Sequence, residues 1–383
     1  MYKVAILLPT KNRPEFVIRQ LRYYASVNSP HPVYIGDASD MKHAKSIEHE
    51  MERLRNNLTI HYFHSPNEES FDETLTNLME ESREDYCVSS ADDDMLVPQS
   101  LTKCARFLDG NSDYRTAQGK AVLFRLKGDG AYGEFSSFEP YWLRKEATED
   151  AGAQRLLNFG RNYWVPQLSV HRRGELIEDS EEYKSTLDSG FSERIHCHLF
   201  IVRGKSKFID CLYLIRQNIL SSHPPYSSSP DRRPGSFDWL ISSNWQPSCG
   251  VFVETVANAL TQVDGISSEE AIEIVKLALW YQLNNTERPR CSSKYVVLDV
   301  KVATQDSKNS STRKSFRERA KDIPGARTAV RMVRSLRYRS ISRYDKPSLP
   351  APDDELSLPA LLKPSSKYHE DFLPFHEILT KKL

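Results

Sequence analysis

Short apolar runs alternate with amphipathic stretches over the first 126 residues. Val4-Ala5-Ile6-Leu7-Leu8 is an unbroken apolar run closed by Pro9, the pattern of a fully buried strand. Pro14 suits the first turn of a helix running to about Ser26, where Phe16, Val17, Leu21 and Tyr24 recur near helical spacing. Pro32 to Asp37 predicts a second strand, a charged helical stretch follows to about Arg55, and Leu58 to Phe63 predicts a third strand. Phe71 to Ser82 predicts a helix, Tyr86 to Ser90 a fourth strand, and Lys120 to Leu126 a fifth. Strands separated by helices of this length imply a parallel sheet with helices on both faces.

Beyond Leu126 the pattern loosens. Gly128, Gly130 and Gly133 mark a loop before a helix near Thr148 to Phe159. Residues 160–216 are mixed, with helical periodicity strongest from Phe191 to Val202. Ser221 to Pro234 is rich in Ser and Pro and reads as a surface loop. Ser267 and Glu270 are spaced as a capping box for a helix over Ser268 to Asn284, with Ile272, Val275, Leu279 and Leu283 on one face.

Composition bounds the class. The 383 residues are 39% hydrophobic and 27% charged, which describes a globular chain of two to three domains rather than a disordered one. No run approaches the roughly 18 apolar residues of a membrane span. The first apolar run is too short for a signal-peptide core, so the mature protein is expected to coincide with the gene product. Six cysteines are scattered without a Cys-x-x-Cys pair, which predicts reduced thiols and a cytoplasmic location. In His196-Cys197-His198 adjacent ligands on one helix would splay apart, so the tripeptide reads as a buried helix turn rather than a metal site.

Zero net charge hides an asymmetry: residues 1–300 hold 34 basic against 42 acidic residues, and residues 301–383 hold 18 against 10. Between Lys301 and Lys346 there are 14 basic and 4 acidic residues. Arg327, Arg331, Arg334 and Arg337 would share one helical face opposite Ala329, Val333 and Leu336. Such a basic amphipathic stretch suits an anionic membrane surface, and it also fits a solvated or protein-binding tail. Nucleic acid is not an expected partner.

The candidate chemistry gathers after the fourth strand, at Ser90-Ala91-Asp92-Asp93-Asp94. In an open parallel sheet, ligands sit at the carboxyl ends of the strands. Three consecutive carboxylates there repel one another unless solvated or offset by a cation, and Mg²⁺ or Mn²⁺ commonly bridges such oxygens to substrate phosphates. The triplet also reads as a solvated turn capping the helix that starts near Pro98. The first strand leads into Pro9-Thr10-Lys11-Asn12-Arg13 and the second ends in Gly36-Asp37-Ala38-Ser39, both at the same sheet edge. Asn12 also suits a turn, and Ser39 a helix cap.

These three segments together resemble family 2 glycosyltransferases, over roughly residues 3–220 and most closely up to about 126. The resemblance implies a GT-A fold, a Rossmann-like, mostly parallel sheet flanked by helices, here with C-terminal helical additions and a basic tail. It divides the chain into a nucleotide-sugar-binding half (1–126), an acceptor-binding half (127–220), a helical extension (221–303) and a basic tail (304–383). It further implies that Thr10, Asn12 and Arg13 line the nucleotide pocket and that Asp37 hydrogen-bonds the base, most often uracil. Asp92 and Asp94 match the outer carboxylates of the family's Asp-x-Asp motif, with Asp94 the most direct contact to Mn²⁺ or Mg²⁺. Arg216 falls where the family often places a basic group near the diphosphate.

An inverting transferase also needs a base for the acceptor hydroxyl. The matching region is Leu187-Asp188-Ser189-Gly190-Phe191-Ser192-Glu193-Arg194, where the family's usual Glu-Asp pair is absent. Glu193 is the first choice and Asp188 the second; Glu193 also reads as an ordinary exposed helical carboxylate. Trp142, Tyr163 and Trp164 are candidates for stacking on sugars, and such aromatics also serve cores. The expected function is transfer of a sugar from a nucleotide-diphospho-sugar, UDP-linked by preference, to a glycan or lipid-linked acceptor in polysaccharide synthesis. The protein would be cytoplasmic, or peripheral on the inner face of the plasma membrane. A sugar-1-phosphate nucleotidyltransferase is the nearest alternative enzyme, although Pro9-Thr10-Lys11-Asn12-Arg13 lacks the Gly-rich phosphate loop. A non-catalytic nucleotide-sugar-binding module is the alternative of another class.

Overall fold

The computed structural model describes residues 2–66, 71–128, 130–183, 189–219, 243, 245–286 and 354–380. The described residues belong to one compact unit, and residues 289–352 lie outside them. The chain begins β1 (Val4–Thr10), α1 (Pro14–Ser26), β2 (Val33–Asp37), α2 (Met41–Leu54), β3 (Ile60–His64), α3 (Phe71–Glu81) and β4 (Tyr86–Ser89). It continues through β5 (Asp94–Leu96), α4 (Pro98–Asp109), β6 (Tyr114–Leu126), β7 (Phe135–Trp142), α5 (Gly152–Arg161), β8 (Val170–Arg172), α6 (Arg173–Tyr183), α7 (Ser189–Arg203) and β9 (Lys205–Gln217). Among the described residues four α-helices follow: α8 (Trp245–Asp264), α9 (Ser268–Thr286), the short α10 (Leu358–Leu361) and α11 (His369–Thr380).

Nine strands among the described residues make one sheet in the order β3-β2-β1-β4-β8-β6-β9-β5, with β7 paired to β6. The first four run parallel, as their helical crossovers require. Every residue of β1 is buried, because helices cover both faces, and this is why its sequence is apolar without alternation. The register sets Thr10 beside Asp37, and the chain after β4 turns at the same edge. The carboxyl ends of β1, β2 and β4 therefore meet at one place. The α/β class and the parallel β1–β4 core agree with the expectation from the sequence. Among the described residues, no helix is long and apolar enough to cross a membrane.

The second half differs more. Residues 205–217, expected to be part of a mixed segment, form a 13-residue strand that runs parallel to β6 and antiparallel to β5. Helix α8 lies within the stretch expected to be a helical extension, and α9 starts as expected, with the Glu270 amide donating to Ser267 Oγ at 3.2 Å. Gly160 lets α5 lie directly on α9, since a Cβ there would sit 2.4 Å from the Ala278 carbonyl oxygen.

The largest correction concerns the C-terminus. Residues 354–380 are not part of a basic tail: Leu356, Leu361, Tyr368, Phe372 and Phe375 are buried in the main core. Phe375 meets Phe124 at 5.2 Å between ring centroids, and Phe372 meets Phe138 at 5.5 Å. Lys367 Nζ and the Tyr368 hydroxyl both bind the Asp210 carboxylate at 2.8 Å. The segment 354–380 is itself apolar and slightly acidic, and only its place after the basic stretch 301–346 groups it with a basic tail. The Ser- and Pro-rich stretch 221–234 and the basic stretch 301–346 lie outside the described residues.

Candidate active site at the carboxyl edge of the sheet

The edge is built from three connections. After β1, Asn12 adopts a left-handed conformation (φ 56°), one that asparagine tolerates better than most residues. Its amide donates to Ser39 Oγ at 2.7 Å, and its Oδ1 accepts from the Asp40 amide at 2.9 Å. Asn12 thus clasps the β1 connection to the β2 connection. Arg13 then stands as the N-cap residue of α1, its guanidinium over the Phe16 ring at 4.2 Å.

Asp37 is buried, and both its oxygens have donors: the Ser39 amide at 2.8 Å and the Tyr62 hydroxyl at 2.7 Å. Beside it lies a cavity of about 220 Å³, lined by residues that include Gly36, Asp37, Phe63, Asn77 and Glu81. Gly36 has no room for a side chain, since a Cβ would sit 2.3 Å from Thr74 Cγ2.

The acidic turn is the electrostatic centre. Asp92 accepts from Thr10 Oγ1 at 2.9 Å and from Arg13 Nη1 at 2.5 Å, while Asp93 pairs with Arg13 Nη2 at 3.1 Å. Burial pushes the Asp92 carboxyl up to about 7, against the opposing pull of Arg13. Asp94 opens β5 and sits directly across from Arg216 in β9. It is 1% exposed, and neither of its carboxylate oxygens has a hydrogen-bond partner. Its nearest cation is Arg216 Nε, at 3.9 Å. Burial pushes Asp94 up to about 7 as well, and the Asp94 charge in turn raises the Arg216 guanidinium.

Two residues that the sequence reading missed hold this turn from below. Arg19, fully buried in α1, donates to the Asp93 carbonyl at 2.8 Å and to the Ala131 carbonyl and Gln217 Oε1 at 2.6 Å each. Gln20 Nε2 donates to the carbonyls of Ala91 and Asp94. Gln20 lies four residues from both Phe16 and Tyr24, so a polar residue in the core phase of α1 was the available signal. Tyr62, the partner of Asp37, carried no comparable signal.

In the second half of the chain, Glu193 is exposed on α7 and accepts from the Tyr163 hydroxyl at 3.0 Å. Its charge is one of those that raise the Arg216 guanidinium, after Asp94, Tyr141 and Asp93. Asp188 and the side chain of Trp142 lie outside the described residues. Trp164 is not available to a sugar: it is 2% exposed and packs edge-on against Phe159 at 4.8 Å. His196, Cys197 and His198 are buried on α7, the helix turn expected of them.

The buried Asp94 oxygens, with no donor, test the site for a cation. A buried carboxylate left unpaired is costly, and a divalent ion would supply what the protein does not. Among the described residues, no group of three or more His, Cys, Asp or Glu could hold a metal alone. The donor set therefore fits an ion bound through one carboxylate and completed by substrate phosphates, the usual habit of Mg²⁺.

No protein-family model matches the chain, and no curated protein matches it. Among solved structures, it is similar to Staphylococcus aureus TarS 1-349 in complex with UDP-GlcNAc, with TM-score 0.48 and 17% identity over 74% of this chain and 73% of that one. The same protein in complex with UDP matches with TM-score 0.45 and 16% identity, over 74% and 72% of the two chains. At these scores the likeness carries no weight of its own.

Proposed function

We propose that the chain is a glycosyltransferase that moves a sugar from a nucleotide-diphospho-sugar, UDP-linked by preference, to a hydroxyl acceptor with inversion. The observation that carries this reading is Asp94, a buried carboxylate without hydrogen-bond donors at the carboxyl edge of the sheet, opposite Arg216. That pairing of a donor-free carboxylate with a guanidinium suits a diphosphate and its counter-ion. Asp94 would hold Mn²⁺ or Mg²⁺, and the bound ion would neutralise charge developing on the diphosphate.

The other residues divide the work. The cavity beside Asp37 takes the base, with Asp37 held ready by Ser39 and Tyr62. Thr10 and Arg13 fix Asp92 toward the sugar end of the donor, and Arg216 faces the diphosphate. Glu193 accepts the proton of the acceptor hydroxyl as that oxygen bonds to the anomeric carbon. The bond from that carbon to the diphosphate oxygen breaks, and its electron pair leaves with the nucleoside diphosphate. The acceptor is a glycan or a lipid-linked carrier, and the basic stretch 301–346 brings the enzyme to an anionic membrane surface.

A panel of UDP-, GDP- and CDP-sugars tests this by thermal shift with and without Mn²⁺. Stabilisation by one nucleotide class, present only with the metal, supports the reading. No stabilisation by any of the three overturns it.

A further inference from the structure

Tyr163 follows α5, and its ring packs against Phe159 at 5.1 Å between centroids. Phe159 is itself fully buried and wedged against Trp164 and His198. The phenol is thus anchored in the core while its hydroxyl reaches out to Glu193 Oε1 at 3.0 Å. Burial, reinforced by the charges of Cys197 and Glu193, pushes the Tyr163 phenol well above its ordinary value. It therefore stays protonated and acts as a donor across the working range.

Glu193 needs such a partner. It stands exposed on α7, and an exposed glutamate left to itself spreads over many rotamers. A base must lie within hydrogen-bond reach of the proton it takes, so a wandering carboxylate is a poor one. The bond from Tyr163 engages Oε1 and leaves Oε2 to receive a proton. Arg216 feels the Glu193 charge, so the carboxylate lies within electrostatic reach of the guanidinium that faces the diphosphate in the transferase reading.

We propose that Tyr163 is the positioning residue for Glu193, a core-anchored phenol that holds the general base toward the cleft. This rests on the transferase reading above. Tyr163 is then neither a sugar platform nor a plain core aromatic, the two roles its sequence context offered. Water entering in place of the acceptor gives up a proton to Glu193. Its oxygen bonds to the anomeric carbon, and UDP departs with the electron pair of the broken bond.

The test is Mn²⁺-dependent release of UDP from UDP-glucose, UDP-galactose and UDP-N-acetylglucosamine without added acceptor, alongside calorimetric binding of Mn²⁺ and UDP to each variant. Glu193→Gln is expected to lower kcat by about 100-fold or more, and Tyr163→Phe by about 10-fold, with the donor KM unchanged. Adding Tyr163→Phe to Glu193→Gln should cost nothing further, which a merely structural tyrosine would not satisfy. Wild-type turnover in Tyr163→Phe overturns the proposal, and so does a further fall in the double variant. Loss of activity in Asp188→Asn but not in Glu193→Gln also overturns it, as does UDP binding without turnover of any donor. Failure of the wild type to bind UDP with Mn²⁺ strikes instead at the transferase reading beneath it.

Discussion

Replacing Asp94 with asparagine should stabilise the metal-free protein while removing its function. The side chain keeps its shape and loses its charge. The Asp94 carboxyl is pushed up to about 7 by burial, from an ordinary value of 3.8. A raised carboxyl contributes fully below its unfolded value, and that contribution is lost as pH climbs through the folded one. The cost of the charge therefore grows between about pH 4 and pH 7 and is constant above. At about 1.4 kcal/mol per pH unit, the shift of roughly three units corresponds to an upper bound of about 4 kcal/mol at pH 8.

The compact unit spans about 320 residues. With an unfolding entropy of about 2.1 cal/mol/K per residue, 4 kcal/mol converts to a rise in Tm of about 6 °C. Scanning calorimetry of wild type and Asp94→Asn in chelator, at pH 4.5 and pH 8, reads this directly. The gain should be near zero at the lower pH and several degrees at the higher. A variant that is no more stable at pH 8, or whose gain is the same at both pH values, would refute the reasoning that burial of Asp94 without hydrogen-bond donors outweighs its attraction to Arg216.

Two further outcomes follow from the same structure. Gly160→Val should lower Tm by about 2–5 °C, because overpacking a close helix contact costs about 1–3 kcal/mol; an unchanged melting curve would show that α5 does not lie on α9 as described. Acid should destabilise the fold through buried neutral histidines, since burial holds His171 at about 4 and His196 and His198 at about 3, with His31 also lowered. Such groups favour the folded state above about pH 6.5 and cost stability as pH falls below it, whereas Asp92 and Asp94 run the opposite way. Urea midpoints at pH 7.5, 6 and 5 should decline, and more steeply in Asp94→Asn, which removes part of the opposing term; parallel declines would contradict this assignment.

The parallel half of the fold was legible because its signals are local. Val4 to Leu8 is apolar throughout because both faces are covered, and Pro14 and Pro98 mark helix starts by their fixed backbone angle. Thr10, Arg13, Asp37 and Asp92–Asp94 stood out for the same reason: each follows a clear strand. Their partners did not, because the pairing is set by the fold. Arg19 looks like an ordinary helix-surface residue, and Gln20 stands in the core phase with no visible partner, until α1 is laid against the acidic turn, 71 to 74 residues away. Strand β9 begins with a polar, charged half and has its partners in β6 and β5, so no local period marks it. The helices over 354–380 were hidden because that apolar segment was averaged with the basic stretch before it.

The proposed transferase requires Asp94 and its surroundings to form a metal-dependent nucleotide site. Calorimetric titration of UDP into wild type and Asp94→Asn, each with and without Mn²⁺, tests it most directly. Binding to the wild type that requires Mn²⁺ and is lost in Asp94→Asn is the expected result. Equal binding by the two proteins, or binding to the wild type that is indifferent to Mn²⁺, would contradict it.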